Sequence, residues 1–285
     1  MLVLIDGDPP VYACGFSAEK NVYSVCEEVF ATKKEALNHC LLFDIDYDEV
    51  EKEVIAEDVS HALHNAKKLI NTVCEATDAE EYKVFLTGKG NFREDLVDYY
   101  KANRDSSHKP VHYEALREYF VEKHNAEVVV GMEADDMLAI TQYQTYLHTG
   151  TWDNTCIATI DKDLDTVAGW HYNWNKKKLY FVTEFEASKF FYTQCLTGDT
   201  VDNIKGIHGI GPKKAEKILD GCTTEFELYD AVLSAYEEHH VKEFGVSEAA
   251  KEDFTENANL LWMLRHPDEH YQPPTNDYEL PTEEE

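Results

Sequence analysis

Acidic residues recur in this 285-residue sequence at the ends of short apolar runs. They form four groups: Asp6 and Asp8; Glu133, Asp135 and Asp136; Asp161, Asp163 and Asp165; Asp199 and Asp202. A single carboxylate at a helix start is commonly only a cap or a partner of the helix dipole. Five or more at one edge would repel one another strongly unless a cation neutralised them. Hard divalent cations prefer oxygen ligands, so the pattern predicts a site for Mg²⁺ or Mn²⁺.

Two such ions about 4 Å apart would clamp the attacking and leaving oxygens of a phosphodiester displacement. No comparable Ser–His–Asp or Cys–His arrangement is visible, and the 13 histidines are scattered. The seven cysteines form no CxxC pair and are odd in number, which favours free thiols in a reducing cytosol over disulfides or a zinc site.

An α/β domain must position these carboxylates. Apolar runs of strand length lie at 2–5, 82–86, 127–130 and 156–160, with helical apolar spacing between them. The alternation predicts a twisted, mainly parallel sheet flanked by helices over residues 1–183, with an edge strand at 179–183. Ligands of such sheets bind outside the carboxyl ends of the strands, where the carboxylates would meet.

The rest of the chain is predicted to be a helical region at 184–266, followed by an acidic, disordered tail at 267–285. Its glycines at 206, 209 and 211 precede a helix that begins at Pro212. The acidic stretch 44–58 is interpreted as a solvated helix start.

The formal net charge of −30 excludes a nucleic-acid coat protein and a cationic membrane binder. We also expect no membrane span and no signal peptide, since no apolar run is long enough and the N-terminus lacks a basic region. Residues 83–109, 171–178 and 203–217 nevertheless sum to +8, against −38 for the rest. If these basic segments lie close together in the fold, they would bind a polyanion. The alternative is that they lie apart and are ordinary solvated faces.

One rival interpretation is a phosphatase of the haloacid dehalogenase type. Asp6-Gly-Asp8 and Gly198-Asp-Thr-Val-Asp202 loosely match its signatures, with Asp6 as nucleophile and Asp8 as general acid. Pro9 and Pro10 stand where that family prefers Gly-Thr, and the carboxylates from Glu133 onward would have no role.

Taken together, the motifs resemble the 5′-nuclease family, which includes flap endonucleases, the 5′-nuclease domain of bacterial DNA polymerase I and stand-alone bacteriophage 5′→3′ exonucleases. The matching segments, in order from residue 2 to about 220, are 4–7, 133–139, 159–165, 196–204 and 206–215. The resemblance implies a PIN-like α/β domain followed by a helix–hairpin–helix region. The lack of a polymerase domain favours the bacteriophage type.

The resemblance also implies two metal groups. Asp6, Glu133 and Asp135 would form one, with Asp136 beside them. Asp161, Asp163 and Asp202 would form the other, supported by Asp199, whereas Asp165 is either a ligand or a helix cap. Thr87 or Gly88 replaces a further family Asp, so the first ion would keep an extra water or borrow Asp8.

For nucleic acid, the resemblance implies a mobile arch at about 88–125 through which a single-stranded 5′ end passes. Arg93 and Lys101 would contact the scissile phosphate and stabilise its charge in catalysis, and Tyr100 is suited to stacking on a base. Further expected DNA contacts are Lys89, Arg104, Gly206, Gly209, Gly211, Lys213 and Lys214. The carbonyls of Ile207 and Ile210 would hold K⁺ in the hairpin, for which a purely structural turn is the alternative.

The sequence therefore predicts a monomeric, cytoplasmic, metal-dependent 5′→3′ exonuclease or flap endonuclease of an infected bacterial host. Its substrate would be duplex DNA with a 5′ end, nick or flap, and RNA–DNA hybrids are left open. The alternative is a structure-specific DNA-binding module of the same fold without catalysis, which the Thr87/Gly88 departure supports.

Overall fold

The computed structural model describes residues 1–104, 108–267 and 269–275. Its strands are β1 (Leu2–Asp6), β2 (Glu19–Val25), β3 (Glu28–Phe30), β4 (Glu51–Ala56), β5 (Glu81–Asn91), β6 (Glu127–Gly131), β7 (Thr155–Ala158), β8 (Gly169–Asn173), β9 (Lys178–Val182), β10 (Gly198–Asp199) and β11 (Ile204–Lys205). Its α-helices are α1 (Asp8–Phe16), α2 (Lys33–Phe43), α3 (Val59–Thr77), α4 (Phe92–Leu96), α5 (Tyr113–His124), α6 (Ala134–Thr149), α7 (Glu184–Thr197), α8 (Pro212–Ile218), α9 (Glu225–Phe244) and α10 (Ala250–Leu261).

The chain divides into two compact units. The first unit comprises residues 1–6, 73–105 and 127–285, and the second comprises 7–72 and 106–126. Among the described residues, no helix is long and apolar enough to cross a membrane. The domain boundaries predicted above stay predictions.

The first unit contains a six-stranded sheet of order β6-β5-β1-β7-β8-β9, parallel except for the β8–β9 pair. The predicted mainly parallel α/β fold is confirmed, including β9 as an edge strand. The central strand β1 buries Val3, Leu4 and Ile5 completely between its two parallel neighbours. Its last residue, Asp6, therefore emerges at the carboxyl edge in the middle of the sheet.

Helices α7–α10 pack around a separate core in the same unit, built on buried side chains such as Tyr192, Leu228 and Phe254. Capping boxes at Thr183 and Thr224 fix where α7 and α9 begin. Tyr271, inside the predicted tail, is buried against Phe191. Residues 276–285 of that tail lie outside the described part of the chain.

The second unit contains an antiparallel sheet of order β3-β2-β4, onto which α2 packs. The interpretation of residues 44–58 as a helix start was wrong, because 51–56 form strand β4 and only Tyr47–Glu49 form a 3₁₀ turn. Residues Glu51–Ile55 of strand β4 are all exposed, so burial does not alternate along this strand. Its sequence therefore lacks the two-residue alternation of apolar and polar side chains that predicts a strand.

Two glycines allow close backbone contact where α7 leads into the β10–β11 hairpin. A Cβ on Gly206 would lie 2.3 Å from the Gly198 nitrogen and 2.5 Å from the Leu196 oxygen. These neighbours are backbone atoms, which cannot rotate away. The junction between α7 and the predicted DNA-binding hairpin therefore requires glycine at 206.

We expect Gly206→Ala to lower the free energy of unfolding by roughly 1–3 kcal/mol, because the added methyl overpacks this junction. Gly211→Ala is the matched control, since its Cβ would meet open space and its φ of −102° suits any residue. Urea unfolding followed by circular dichroism measures both. Equal stability of the two variants would contradict the close packing at Gly206.

Candidate active site

A hydrogen-bonded row of carboxylates lies at the carboxyl edge of the first unit's sheet. Because β1 and β7 are parallel neighbours, Asp6 lies beside the loop that follows β7. The Thr159 hydroxyl donates to Asp6 at 2.8 Å and accepts the Asp161 N–H at 3.0 Å. Asp161 in turn accepts the Asp163 N–H at 2.9 Å. The structure thus brings together the predicted carboxylates of β1 and β7.

The pKa values of two carboxylates in this cluster are raised, because burial and neighbouring carboxylates outweigh the effect of the nearby lysines. Burial and the charges of Asp6, Asp161 and Glu133 raise the pKa of Asp135 well above its usual range. Burial, Asp161 and Asp199 raise the pKa of Asp163 to about 7. Both shifts arise where carboxylates lie close together with little water around them. A bound cation would offset their mutual repulsion.

Two other carboxylates are compensated by the turn at residues 99–104. Lys101 Nζ pairs with Glu133 and lies 3.5 Å from Asp202, which also pairs with Arg104. The Tyr100 hydroxyl donates to Glu133 at 3.0 Å and lies 3.3 Å from Asp202. Burial opposes the charge of Glu133, yet Lys101 and Arg93 outweigh it and lower the pKa of this carboxyl.

Among the described residues, no three His, Cys, Asp or Glu side chains converge closely enough to coordinate a metal ion as they stand. The donor set nevertheless fits a hard divalent cation, since it consists of carboxylate oxygens, and burial together with neighbouring carboxylates raises the pKa of Asp135 and Asp163. Asp199 lies near enough to contribute to the raised pKa of Asp163.

The structure corrects the predictions for Arg93 and Asp136. Arg93 is 1% exposed and binds both Asp136 oxygens, at 2.7 and 2.8 Å. It also donates to the carbonyls of Leu260 and Trp262, while Asp136 accepts the N–H groups of Glu133 and Leu264. Arg93 therefore does not face a phosphate, and Asp136 has no oxygen free for a metal ion. The pair instead positions Glu133.

Tyr100 requires a similar correction. Its ring is 5% exposed and belongs to the helical core, so it offers no face for stacking on a base. Its hydroxyl contacts Glu133 and Asp202 instead. At the position of the missing family Asp, the Thr87 hydroxyl accepts the N–H of Ala134 at 3.0 Å and thereby holds the first turn of α6.

The remaining acidic candidates have different surroundings. Asp165 accepts the Tyr180 hydroxyl at 2.7 Å, which indicates a structural role. Asp199 accepts the Val201 N–H at 2.7 Å in the turn after β10. Asp8 belongs to the second unit, where it pairs with Arg117 at 2.9 Å.

Several other predicted nucleic-acid contacts are exposed in the first unit, whereas Gly206 packs against backbone atoms of residues 196–198. Lys89 and Lys213 are exposed. Lys214 donates to the Gly209 carbonyl at 2.7 Å, within the hairpin itself. The Ile207 carbonyl accepts the Ile210 N–H at 3.0 Å, so the hairpin is internally closed. Residues 174–177 join β8 to β9 at the carboxyl edge, which puts exposed Lys176 and Lys177 at the same edge as the carboxylates.

Sequence reasoning missed several neutral residues that orient this site. Thr159 links Asp6 to Asp161, and Gln194 donates to Asp163 at 2.7 Å. Asn103 and Asn203 tie residues 99–104 to the loop at 199–203. Thr159 and Asn203 lie inside the motif segments 159–165 and 196–204, so the motifs could have identified them. Gln194 lies on α7, and no sequence pattern pointed to it.

No family model matches the chain. It is 31% identical over 165 residues to DNA polymerase I of Rhizobium leguminosarum, covering 53% of this chain and 16% of the relative. It is 25% identical over 184 residues to a flap endonuclease of Escherichia phage T5, covering 56% and 62%. The chain thus spans less than two thirds of either relative.

The fold is similar to that of solved T5 proteins. The T5 D15 protein co-crystallised with metal ions superposes with a TM-score of 0.56 at 18% identity, covering 91% of this chain and 88% of that one. The T5 5′-exonuclease with bound zinc gives 0.54 at 18% identity and the same coverage. These findings confirm the fold and the resemblance to the 5′-nuclease family.

We expect Arg93→Met and Asp136→Leu each to destabilise the protein by roughly 3–5 kcal/mol, since each leaves a buried charge unpaired. The double variant should lose less than the two single losses combined, because no lone charge remains. Denaturant unfolding of the three variants measures this coupling. Additive losses would mean that the two side chains stabilise the protein independently.

Proposed function

We propose that this chain, a member by resemblance of the 5′-nuclease family, is a metal-dependent 5′→3′ exonuclease or flap endonuclease acting on duplex DNA. The observation that carries the proposal is the hydrogen-bonded row of Asp6, Asp161 and Asp163 at the carboxyl edge of this fold. The raised pKa values of Asp135 and Asp163 support it. Metal ions are part of the solved T5 D15 and T5 5′-exonuclease structures. We extend this requirement to the present chain as two Mg²⁺ or Mn²⁺ ions.

The residues that would hold the ions fall into the two expected groups. Asp6, Glu133 and Asp135 would hold one, and Asp161, Asp163 and Asp202 the other, supported by Asp199. Asp161 lies close to both groups, since its charge contributes to the raised pKa of both Asp135 and Asp163. When bound, the ions would supply a nucleophilic hydroxide at neutral pH and charge neutralisation at the phosphate.

The chain's own residues would bind and polarise the phosphate. Lys101 and Arg104 are the basic side chains held beside Glu133 and Asp202. A cation at this position stabilises the negative charge that develops on the phosphate oxygens during displacement. Arg104 would therefore be the second cation that stabilises the phosphate charge, in place of Arg93, which is buried against Asp136.

Duplex binding would use phosphate contacts at the hairpin of residues 206–214 and at the exposed lysines of 176–178. Gly209 and Gly211 have no heavy atom within 4 Å of an added Cβ, which leaves the hairpin backbone open to a phosphate. Such contacts bind duplex DNA without reading its sequence. K⁺ at the Ile207 and Ile210 carbonyls stays part of the proposal.

The direct test is cleavage of 5′-labelled nicked and flapped duplexes by the purified chain. We expect release of 5′-phosphorylated products in Mg²⁺ and none in EDTA. Binding without cleavage in Mg²⁺ or Mn²⁺ would favour the alternative, a DNA-binding module of the same fold that lacks catalysis. An RNA-containing 5′ strand in the same assay decides whether hybrids are substrates.

Asp163→Ala should abolish turnover while duplex affinity stays equal or increases, because a carboxylate that repels phosphate is removed. Asp165→Asn is the matched control from the same loop and should cleave nearly as the parent does, since Asp165 contacts Tyr180. Single-turnover rates in Mg²⁺ and binding in Ca²⁺ measure the two effects. Substantial cleavage by Asp163→Ala would remove this residue from the metal site.

Lys213→Ala should reduce the slope of log affinity against log salt by up to about one, as expected for the loss of one phosphate contact. The loss should be the same for duplexes of different sequence. Lys251→Ala, an exposed lysine on α10, serves as the control. An unchanged slope in Lys213→Ala would mean that the hairpin does not contact the duplex.

A further inference from the structure

The turn at residues 99–104 is fastened to the loop at 199–203 by backbone-directed hydrogen bonds. The Lys101 N–H donates to the Asp202 carbonyl at 2.9 Å. The Asn103 amide donates to the Thr200 carbonyl at 2.9 Å, and the Asn203 amide donates to the Tyr99 carbonyl at 2.8 Å. These bonds hold the turn in place without using the ammonium of Lys101 or the guanidinium of Arg104.

The backbone conformation at Lys101 indicates that contacts with other residues hold this turn in place. Lys101 has a φ of +54° and Asn203 a φ of +60°, both in the left-handed region. Asparagine tolerates this region better than lysine does, so Lys101 adopts it at a cost. The surrounding bonds thus fix Lys101 in a backbone conformation that directs its side chain to Glu133.

The charged ends of Lys101 and Arg104 contact the carboxylates that the proposed function assigns to the metal ions. Lys101 bridges Glu133 and Asp202, one from each metal group, and its side chain is only 17% exposed. Arg104 pairs with Asp202 and is 49% exposed. Neither cation contacts Asp135 or Asp163 within ion-pair distance among the described residues.

We propose that Lys101 and Arg104 are internal counter-cations that exchange with the catalytic metal, an inference that rests on the proposed function. Without metal, they neutralise Glu133 and Asp202. Metal binding takes over these oxygens and releases both basic side chains, which then face the substrate phosphate. The asparagine-held turn keeps the released groups at the site. Binding of the metal is therefore coupled to the release of the two basic side chains that bind phosphate.

The exchange follows from competition for the same oxygens. A carboxylate oxygen committed to Lys101 must lose that ion pair to bind a divalent ion, so Lys101 weakens metal binding and metal weakens the ion pair by the same factor. The divalent ion prevails at sufficient concentration because it carries twice the charge.

The first test follows the Lys101 amine directly. The parent protein, without DNA, is treated by reductive methylation with and without Mg²⁺, and mass spectrometry gives the labelling rate of each lysine. We expect Mg²⁺ to raise the rate at Lys101 severalfold and to leave exposed Lys251 unchanged. An equal or lower rate at Lys101, in protein that calorimetry shows to bind Mg²⁺, overturns the exchange and leaves the proposed function intact.

The second test measures Mg²⁺ affinity by calorimetry in three variants whose folding is checked by circular dichroism. Lys101→Met and Arg104→Met should bind Mg²⁺ more tightly than the parent, roughly fivefold or more for Lys101→Met. Lys162→Met controls for a general field effect. Its side chain is 73% exposed and its ammonium lies 3.8 Å from Asp163, a pair that solvent screens, so a much smaller change is expected.

Equal tightening in Lys101→Met and Lys162→Met would overturn the exchange, since it would show an effect of net charge only. Unchanged affinity for Mg²⁺ in both Lys101→Met and Arg104→Met would also overturn the exchange. Absence of any Mg²⁺ binding by the parent would overturn the proposed function together with this inference.

Discussion

Mutual repulsion among carboxylates, gathered at one edge of a parallel sheet, is the constraint that the first unit is built around. Burial and the charges of neighbouring carboxylates raise the cost of ionising Asp135 and Asp163, as their raised pKa values show. A fold tolerates such a cluster only if cations or hydrogen-bond donors offset the charge. The arrangement of donors around the cluster can be explained on this basis.

Three kinds of group offset the charge. Buried Arg93 neutralises Asp136 and, through the carbonyls of residues 260 and 262, joins helices α4 and α6 to the end of α10. Neutral donors such as Thr159 and Gln194 orient Asp6 and Asp163 without adding charge. Lys101 and Arg104 offset Glu133 and Asp202 from a turn. Lys101 and Arg104 are positively charged and partly exposed, which suits them to meet a phosphate.

The sequence was sufficient to predict the sheet and the location of the carboxylates, because both depend on local patterns. Apolar runs marked β1, β5, β6 and β7, and the acidic residues followed them. Strand β8 was missed because Gly169–Asn173 contains no apolar run. The roles of Arg93 and Asp136 could not be predicted, since their pairing joins residues 43 positions apart and depends on carbonyls 167 and 169 positions from Arg93. Tyr100 was misjudged for the same reason: the helical core that buries it comes from later in the chain.

Anomalous diffraction from crystals of the chain grown with Mn²⁺ and without DNA would test the central claim most directly. The account predicts Mn²⁺ bound by oxygens of the Asp6, Glu133 and Asp135 group and of the Asp161, Asp163 and Asp202 group, with Lys101 no longer bonded to Glu133. Crystals that contain Mn²⁺ elsewhere, or none, while Lys101 still bridges Glu133 and Asp202, would contradict it.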